Sequence, residues 1–277
     1  LIGSSAQLVI PGAPVNVLAT GDNNAIAIAE GATIGGLTIS VMLPTAKVGG
    51  AVLAEFSGQM SGGLASLLNV KALGENTAFA TAEVFGLSLG GLQGAFAHAE
   101  ITSQADVEAR VGSSALIATS GAVVIDARLQ GQKNYAVARA EGFNGGIILA
   151  GSMMGTLAKV GGAVIVDFDG DVTTASQVTI IADGRNLADA DTLVTAIGTF
   201  SGAGSGAESF VTSSADVEVV VGSTASITTT GSLTVTANSD NDANAESEAG
   251  SGGLVALGVA LPTATVDGGT KVQFNGD

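Results

Sequence analysis

The stretch Leu68-Asn69-Val70-Lys71-Ala72-Leu73-Gly74-Glu75-Asn76-Thr77-Ala78-Phe79-Ala80-Thr81-Ala82 reads as two alternating runs joined at a turn. Alternation with period two marks β-strand, and Gly-Glu-Asn supplies the turn signal. The pattern recurs along the chain. Its first run closes on Ala19, Ala72, Ala127, Ala182 and Ala237, which lie 53, 55, 55 and 55 residues apart. An asparagine follows four residues later at Asn23, Asn76, Asn186 and Asn241, and the third copy delays it to Asn134. Glycine pairs close most of the second runs, at Gly35-Gly36, Gly90-Gly91, Gly145-Gly146 and Gly252-Gly253. A repeat of this length signals a solenoid, a propeller or an array.

The copies alternate in kind. The first, third and fifth carry Pro44-Thr45-Ala46-Lys47-Val48-Gly49-Gly50 and its equivalents ending at Gly161-Gly162 and Gly268-Gly269. The second and fourth carry Thr102-Ser103-Gln104-Ala105-Asp106-Val107-Glu108 and Thr212-Ser213-Ser214-Ala215-Asp216-Val217-Glu218. At one position Phe56, Val111, Phe168, Val221 and Phe274 follow in turn, a large–small series suited to interdigitating stacked layers.

These observations predict an all-β chain: a parallel β-solenoid (β-helix) built from five repeats of about 55 residues alternating in two types. The repeats run approximately over residues 4–58, 59–112, 113–170, 171–222 and 223–277, as one continuous array. The chain begins and ends at one phase of the repeat and reads as a segment of a longer protein. A propeller is the competing architecture, but its blades usually rest on recurring large aromatic and polar signatures. Helix is disfavoured by 41 glycines and by alanines spaced two apart. Whether each repeat makes one wide coil or two narrow ones stays open. Five copies rise about 24 Å or about 48 Å accordingly.

Composition narrows the function. Small residues dominate; Trp and Cys are absent and Tyr occurs once. A thin alanine core suits two sheet faces in close approach and lacks the walls of a wide ligand cavity. Nine basic residues stand against 25 acidic ones, for a net charge of −16, with no basic cluster to bind nucleic acid. The segment from Gly145 to Val166 carries one charge, Lys159, and is long enough to cross a bilayer. Its equivalents in other copies contain Glu55, or Asp106, Glu108 and Arg110, so it reads as buried strand. An outer-membrane barrel needs aromatic girdles this chain does not supply. The chain is therefore not expected to be membrane-embedded.

The segment Leu233-Thr234-Val235-Thr236-Ala237-Asn238-Ser239-Asp240-Asn241-Asp242-Ala243-Asn244-Ala245-Glu246, with Gly250-Ser251-Gly252-Gly253-Leu254-Val255-Ala256, resembles the repeats of giant secreted bacterial exoproteins. These are the leukotoxin-type filamentous adhesins, similar in style to filamentous haemagglutinins. The resemblance covers all five copies and is best in the fifth. It implies secretion, a β-solenoid shaft and an extracellular place on the bacterial cell surface. It brings no catalytic residues.

A search for chemistry finds little. His98 is the single histidine and reads as an incidental face residue. The pairs Asp106/Glu108 and Asp216/Glu218 put both acids on one strand face and read as a solvated stripe. Asp167, Asp169 and Asp171 space oxygens as a calcium loop does. The equivalent turns read Glu55-Phe56-Ser57-Gly58-Gln59 and Gln273-Phe274-Asn275-Gly276-Asp277, so calcium is the weaker reading beside an acidic turn and no other cofactor is expected. Thr228, Thr229, Thr230, Thr234 and Thr236 resemble a flat ice-binding array in one copy only. The residues expected to matter are structural: the Ala19–Ala237 and Asn23–Asn241 series, with Phe56, Phe168 and Phe274. The expected function is a non-enzymatic extracellular fibre or filamentous adhesin shaft that associates with itself end to end or laterally. The alternative is a solenoid face that binds polysaccharide, ice or a host receptor, with a host or cell-surface glycan as partner.

Overall fold

The computed structural model describes residues 1–60, 63–129, 131 and 133–277, and among these every regular element is β-strand. All strand pairings are parallel and fall into three sheets. The largest has nine strands and contains the recurring stretch. Its second pass is a single strand, Leu67–Ile101, and the fourth pass is Gln177–Ile197 followed by Phe200–Val211. A second sheet stacks Val52–Phe56, Val107–Val111, Val164–Phe168, Val217–Val221 and Thr270–Phe274. The third stacks the short strands Gln7–Leu8, Gln59–Met60, Leu116–Ala118, Asp171–Thr174 and Ser226–Ile227.

Paired residues lie one repeat length apart, from 51 residues (Val160 with Val211) to 59 (Ile101 with Val160). Parallel pairing needs a crossover between partners, and here the other two sheets provide it. One circuit of about 55 residues thus visits all three sheets. Among the described residues the third copy has four strands, Leu116–Ala118, Ala122–Leu129, Asn134–Val160 and Val164–Phe168. The second copy differs: Leu67–Ile101 runs outward, turns near Gly90 and returns without losing its ladder, leaving three strands.

Each circuit encloses two cores. One is bounded by the start of the long strand and the two smaller sheets, and holds Leu68, Val70, Phe56, Val107, Ile117 and their equivalents. The other lies between the outbound and returning limbs and is built largely of alanine, including Ala78, Ala80, Ala82, Ala97 and Ala99. Alanine at alternate positions lets two limbs close without interleaving large side chains. The result is a filled body with a thin two-layered blade projecting from it.

Candidate functional site

The body and the blade meet at a neck. Ala19, Ala72, Ala127, Ala182 and Ala237 lie on the body side, successive members paired across the sheet. Ala72, Ala127 and Ala182 are fully buried, and Ala19 and Ala237 pack against the same core. Across the neck from the asparagines run Gly50, Ala105, Gly162, Ala215 and Gly268, at the corners that follow the returning limbs.

The asparagines bind both ways. Each Nδ2 donates across the neck to one of those carbonyls, at 3.2, 3.1, 3.0, 3.2 and 3.1 Å from Asn23 to Asn241. Each of the first four also donates to the Oδ1 of the next asparagine, at 2.8, 2.9, 2.9 and 2.8 Å. Asn76, Asn134 and Asn186 are buried, so these bonds satisfy groups that water does not reach. Asn134, delayed in sequence, stands fully in this ladder.

Glycine lets the neck close. A Cβ on Gly74 would lie 2.3 Å from Cγ2 of Val107, and one on Gly21 or Gly184 would lie 2.4 Å from Val52 or Val217. In the same register the third copy has Leu129 and the fifth Ser239. Leu129 pairs with Gly74 and Tyr135 with Thr77, so the third copy carries three more residues than the second between these two pairs. Ser239 instead hydrogen-bonds Thr270, which replaces the valine of other copies. Neither substitution was singled out from sequence; the signal was the paired change of Gly with Val to Ser with Thr.

In the body core, Phe56 pairs with Val111, Val111 with Phe168, Phe168 with Val221, and Val221 with Phe274. Phe56 and Phe168 are fully buried, whereas Phe274 is partly exposed.

Polar groups singled out for chemistry are engaged with neighbouring passes. His98 faces Glu100 at 3.6 Å, and its imidazole is lowered below its ordinary value by burial, with Glu100 opposing and Lys47 and Lys159 assisting. Burial pushes Glu100 up, but hydrogen bonds from Lys47 and Lys159 bring it below the ordinary range. Asp106 accepts the Ala163 amide at 2.8 Å and Asp216 accepts that of Gly269 at 2.6 Å. Glu108 pairs with Arg110, and Glu218 with Lys271. The expected solvated stripe is therefore half-buried, and burial raises both Asp106 and Glu108.

Asp167 is turned toward Arg110 at 3.7 Å, while the Thr224 hydroxyl donates to the backbone carbonyl of Asp169 at 3.2 Å and lies 3.4 Å from its Oδ1. Asp171 sits exposed at the start of the next strand. Among the described residues no three His, Asp or Glu groups converge as a metal site.

Two open grooves mark the blade. On the outbound limb, Phe85 and Phe143 stack with centroids 5.4 Å apart beside Glu30, Glu83 and Glu141. On the returning limb lies a groove of about 850 Å³ floored by glycine and walled by apolar side chains. The apolar stretch that begins at Gly145 passes from the end of the outbound limb onto the returning limb and runs as strand to Val160, and no described helix is long and apolar enough to cross a membrane. No family model, curated protein or solved structure matches the chain.

Proposed function

We propose that the chain is a parallel β-solenoid of five repeats alternating in two types, and that it works as a non-enzymatic shaft: an extracellular fibre or filamentous adhesin on a bacterial cell surface. The observation that carries this reading is the asparagine ladder, which joins five successive passes through side-chain bonds as well as backbone bonds. Polar side chains are spent on cohesion between passes, and a rod resists bending through such cohesion. Parallel strands at about 4.8 Å give a stiff axis with unpaired edges only at its ends, so end-to-end association extends the thread. The resemblance to filamentous adhesins supports a secreted, cell-surface setting.

Electron microscopy of the native material tests this. Long threads of uniform width are expected; dispersed globules would overturn the shaft.

A second reading has its own observation. The Phe85–Phe143 stack beside Glu30, Glu83 and Glu141 offers aromatic faces and carboxylate acceptors on an exposed surface, as a polysaccharide or host receptor site requires. Binding on a glycan array that is lost in Phe85→Ala would favour it.

A further inference from the structure

The returning limbs of the blade present a face that the chain's acidity does not explain. None of the residues lining the groove there is charged, although the chain carries a net charge of −16. Met153 is 73 % exposed, Phe200 51 %, Leu92 48 % and Phe96 42 %. Large side chains on adjacent passes alternate with glycine: Leu92 pairs with Gly151, Gly94 with Met153, and Phe96 with Gly155. In the next pass Gly202, Gly204 and Gly206 leave a trough. It is bounded on its far side by Leu257, Val259 and Leu261.

We infer that this face is the lateral interface between two copies of the chain, packed front to front. The inference rests on the shaft reading in taking the partner to be another copy. A two-fold axis along the strands, through the third pass, superposes each pass of one copy on its mirror in order on the other. Leu92 and Phe96 of one copy then lie over Gly202 and Gly206 of the other, and the two Met153 side chains meet at the centre. Large positions thus meet glycine where the second pass lies over the fourth, while Ile39 and Val41 of the first pass meet Leu257 and Val259 of the fifth as apolar side chains, so the patch is self-complementary in the isologous sense. Five passes at about 4.8 Å, with four outward positions along each strand, give about 600 Å² per copy. The total of about 1,200 Å² reaches the range of specific protein interfaces. Charge favours the same occupant, because two strongly acidic chains approach most easily through an uncharged face.

The chain has no cysteine, so an introduced one reports this contact directly. Met153→Cys is expected to form a disulfide-linked dimer on mild oxidation, while Ile28→Cys, exposed on the outbound limb, does not. In sedimentation the parent chain is expected to dimerise, with Gly202→Asp weakening association at least a hundredfold. A Cβ at Gly202 meets nothing within 4 Å, so that variant should retain the parent's circular dichroism. Equal cross-linking at both positions, or a parent chain monomeric at 500 µM, would overturn the inference. So would a monomer that instead takes up palmitate or binds phospholipid vesicles through this face. Micrographs separate the two readings. Threads whose width is unchanged by Gly202→Asp sink the interface and leave the shaft standing; dimers without threads sink the shaft alone.

Discussion

Asn76 donates a 2.9 Å hydrogen bond to Oδ1 of Asn134 although 58 residues separate them, while the bond from Asn134 to Asn186 spans only 52. The third circuit is longer than its neighbours, and the neck still brings its asparagine into line. Position in the ladder is therefore held by the amide bonds and the facing carbonyls, and spacing along the chain yields to them.

Replacing Asn134 tests this. Asn134→Leu removes its bonds to Asn76, Gly162 and Asn186 and strands buried polar atoms, at an expected cost of about 3 kcal/mol or more. Asn134→Asp keeps an acceptor for Asn76 but faces Gly162 O and Asn186 Oδ1 with a carboxylate. It should be worse than Leu at pH 7 and recover in acid, where the protonated group donates again. Urea unfolding at pH 7 and pH 4 reads both, and equal losses at the two pH values would contradict the account.

The neck glycines carry the second prediction. Gly74→Ala forces a Cβ against Val107 Cγ2, a buried branched side chain with nowhere to retreat. Overpacking of this kind costs about 1–3 kcal/mol. Gly36→Ala, with open space around it, should leave the melting midpoint nearly unchanged. The double variant Gly74→Ala/Val107→Ala should regain part of the loss, and a calorimetric double-mutant cycle measures that coupling.

Much of the fold was legible because strand period and repeat period act on every copy. The alternation from Ala78 to Ala82 announces a strand, and the recurrence at Ala72, Ala127 and Ala182 places those strands side by side. The neck was not legible. Nothing in Asn76 alone says that its second amide proton goes to Ala105, since that partner is set by the path of the returning limb. The same holds for Asp106, read as solvated but bound to the Ala163 amide in the next circuit. The apolar returning face escaped for a different reason: Leu92, Met153 and Phe200 lie far apart in sequence and form one surface only after stacking.

Acid should stabilise the chain at first. Burial raises the carboxyls of Asp106, Glu108, Asp167 and Asp189 above their ordinary values. A raised group binds its proton more readily when folded, so stability falls as pH climbs from the unfolded to the folded value. Lowering the pH through the folded values toward the ordinary carboxylate range reverses that loss. His98 opposes it, because a lowered imidazole loses stability as pH falls through its ordinary value of 6.5. Glu100, also lowered, costs stability only below the ordinary glutamate range. The melting midpoint should therefore rise as pH approaches the ordinary aspartate and glutamate range, below the window in which His98 acts. His98→Gln should enlarge the rise and Asp189→Asn should reduce it. A midpoint that drops steadily on acidification would contradict this.

The Phe–Val series makes the last prediction, because it asks whether neighbouring circuits share one packing problem. Phe168 is fully buried and paired on both sides with valine, at Val111 and Val221. Phe168→Ala opens a cavity that two flanking valines cannot fill, at a cost of about 3–5 kcal/mol. Val221→Phe errs in the other direction: it sets three phenylalanines in succession with Phe168 and Phe274, and overpacking costs about 1–3 kcal/mol. If volume is shared across circuits, Phe168→Val/Val221→Phe should be more stable than the sum of its single changes, since the layer volume is restored one pass along. Strict additivity in urea unfolding would mean that each circuit packs by itself. Coupling of about 1 kcal/mol or more would mean that cohesion passes from one circuit to the next, as a shaft under load requires.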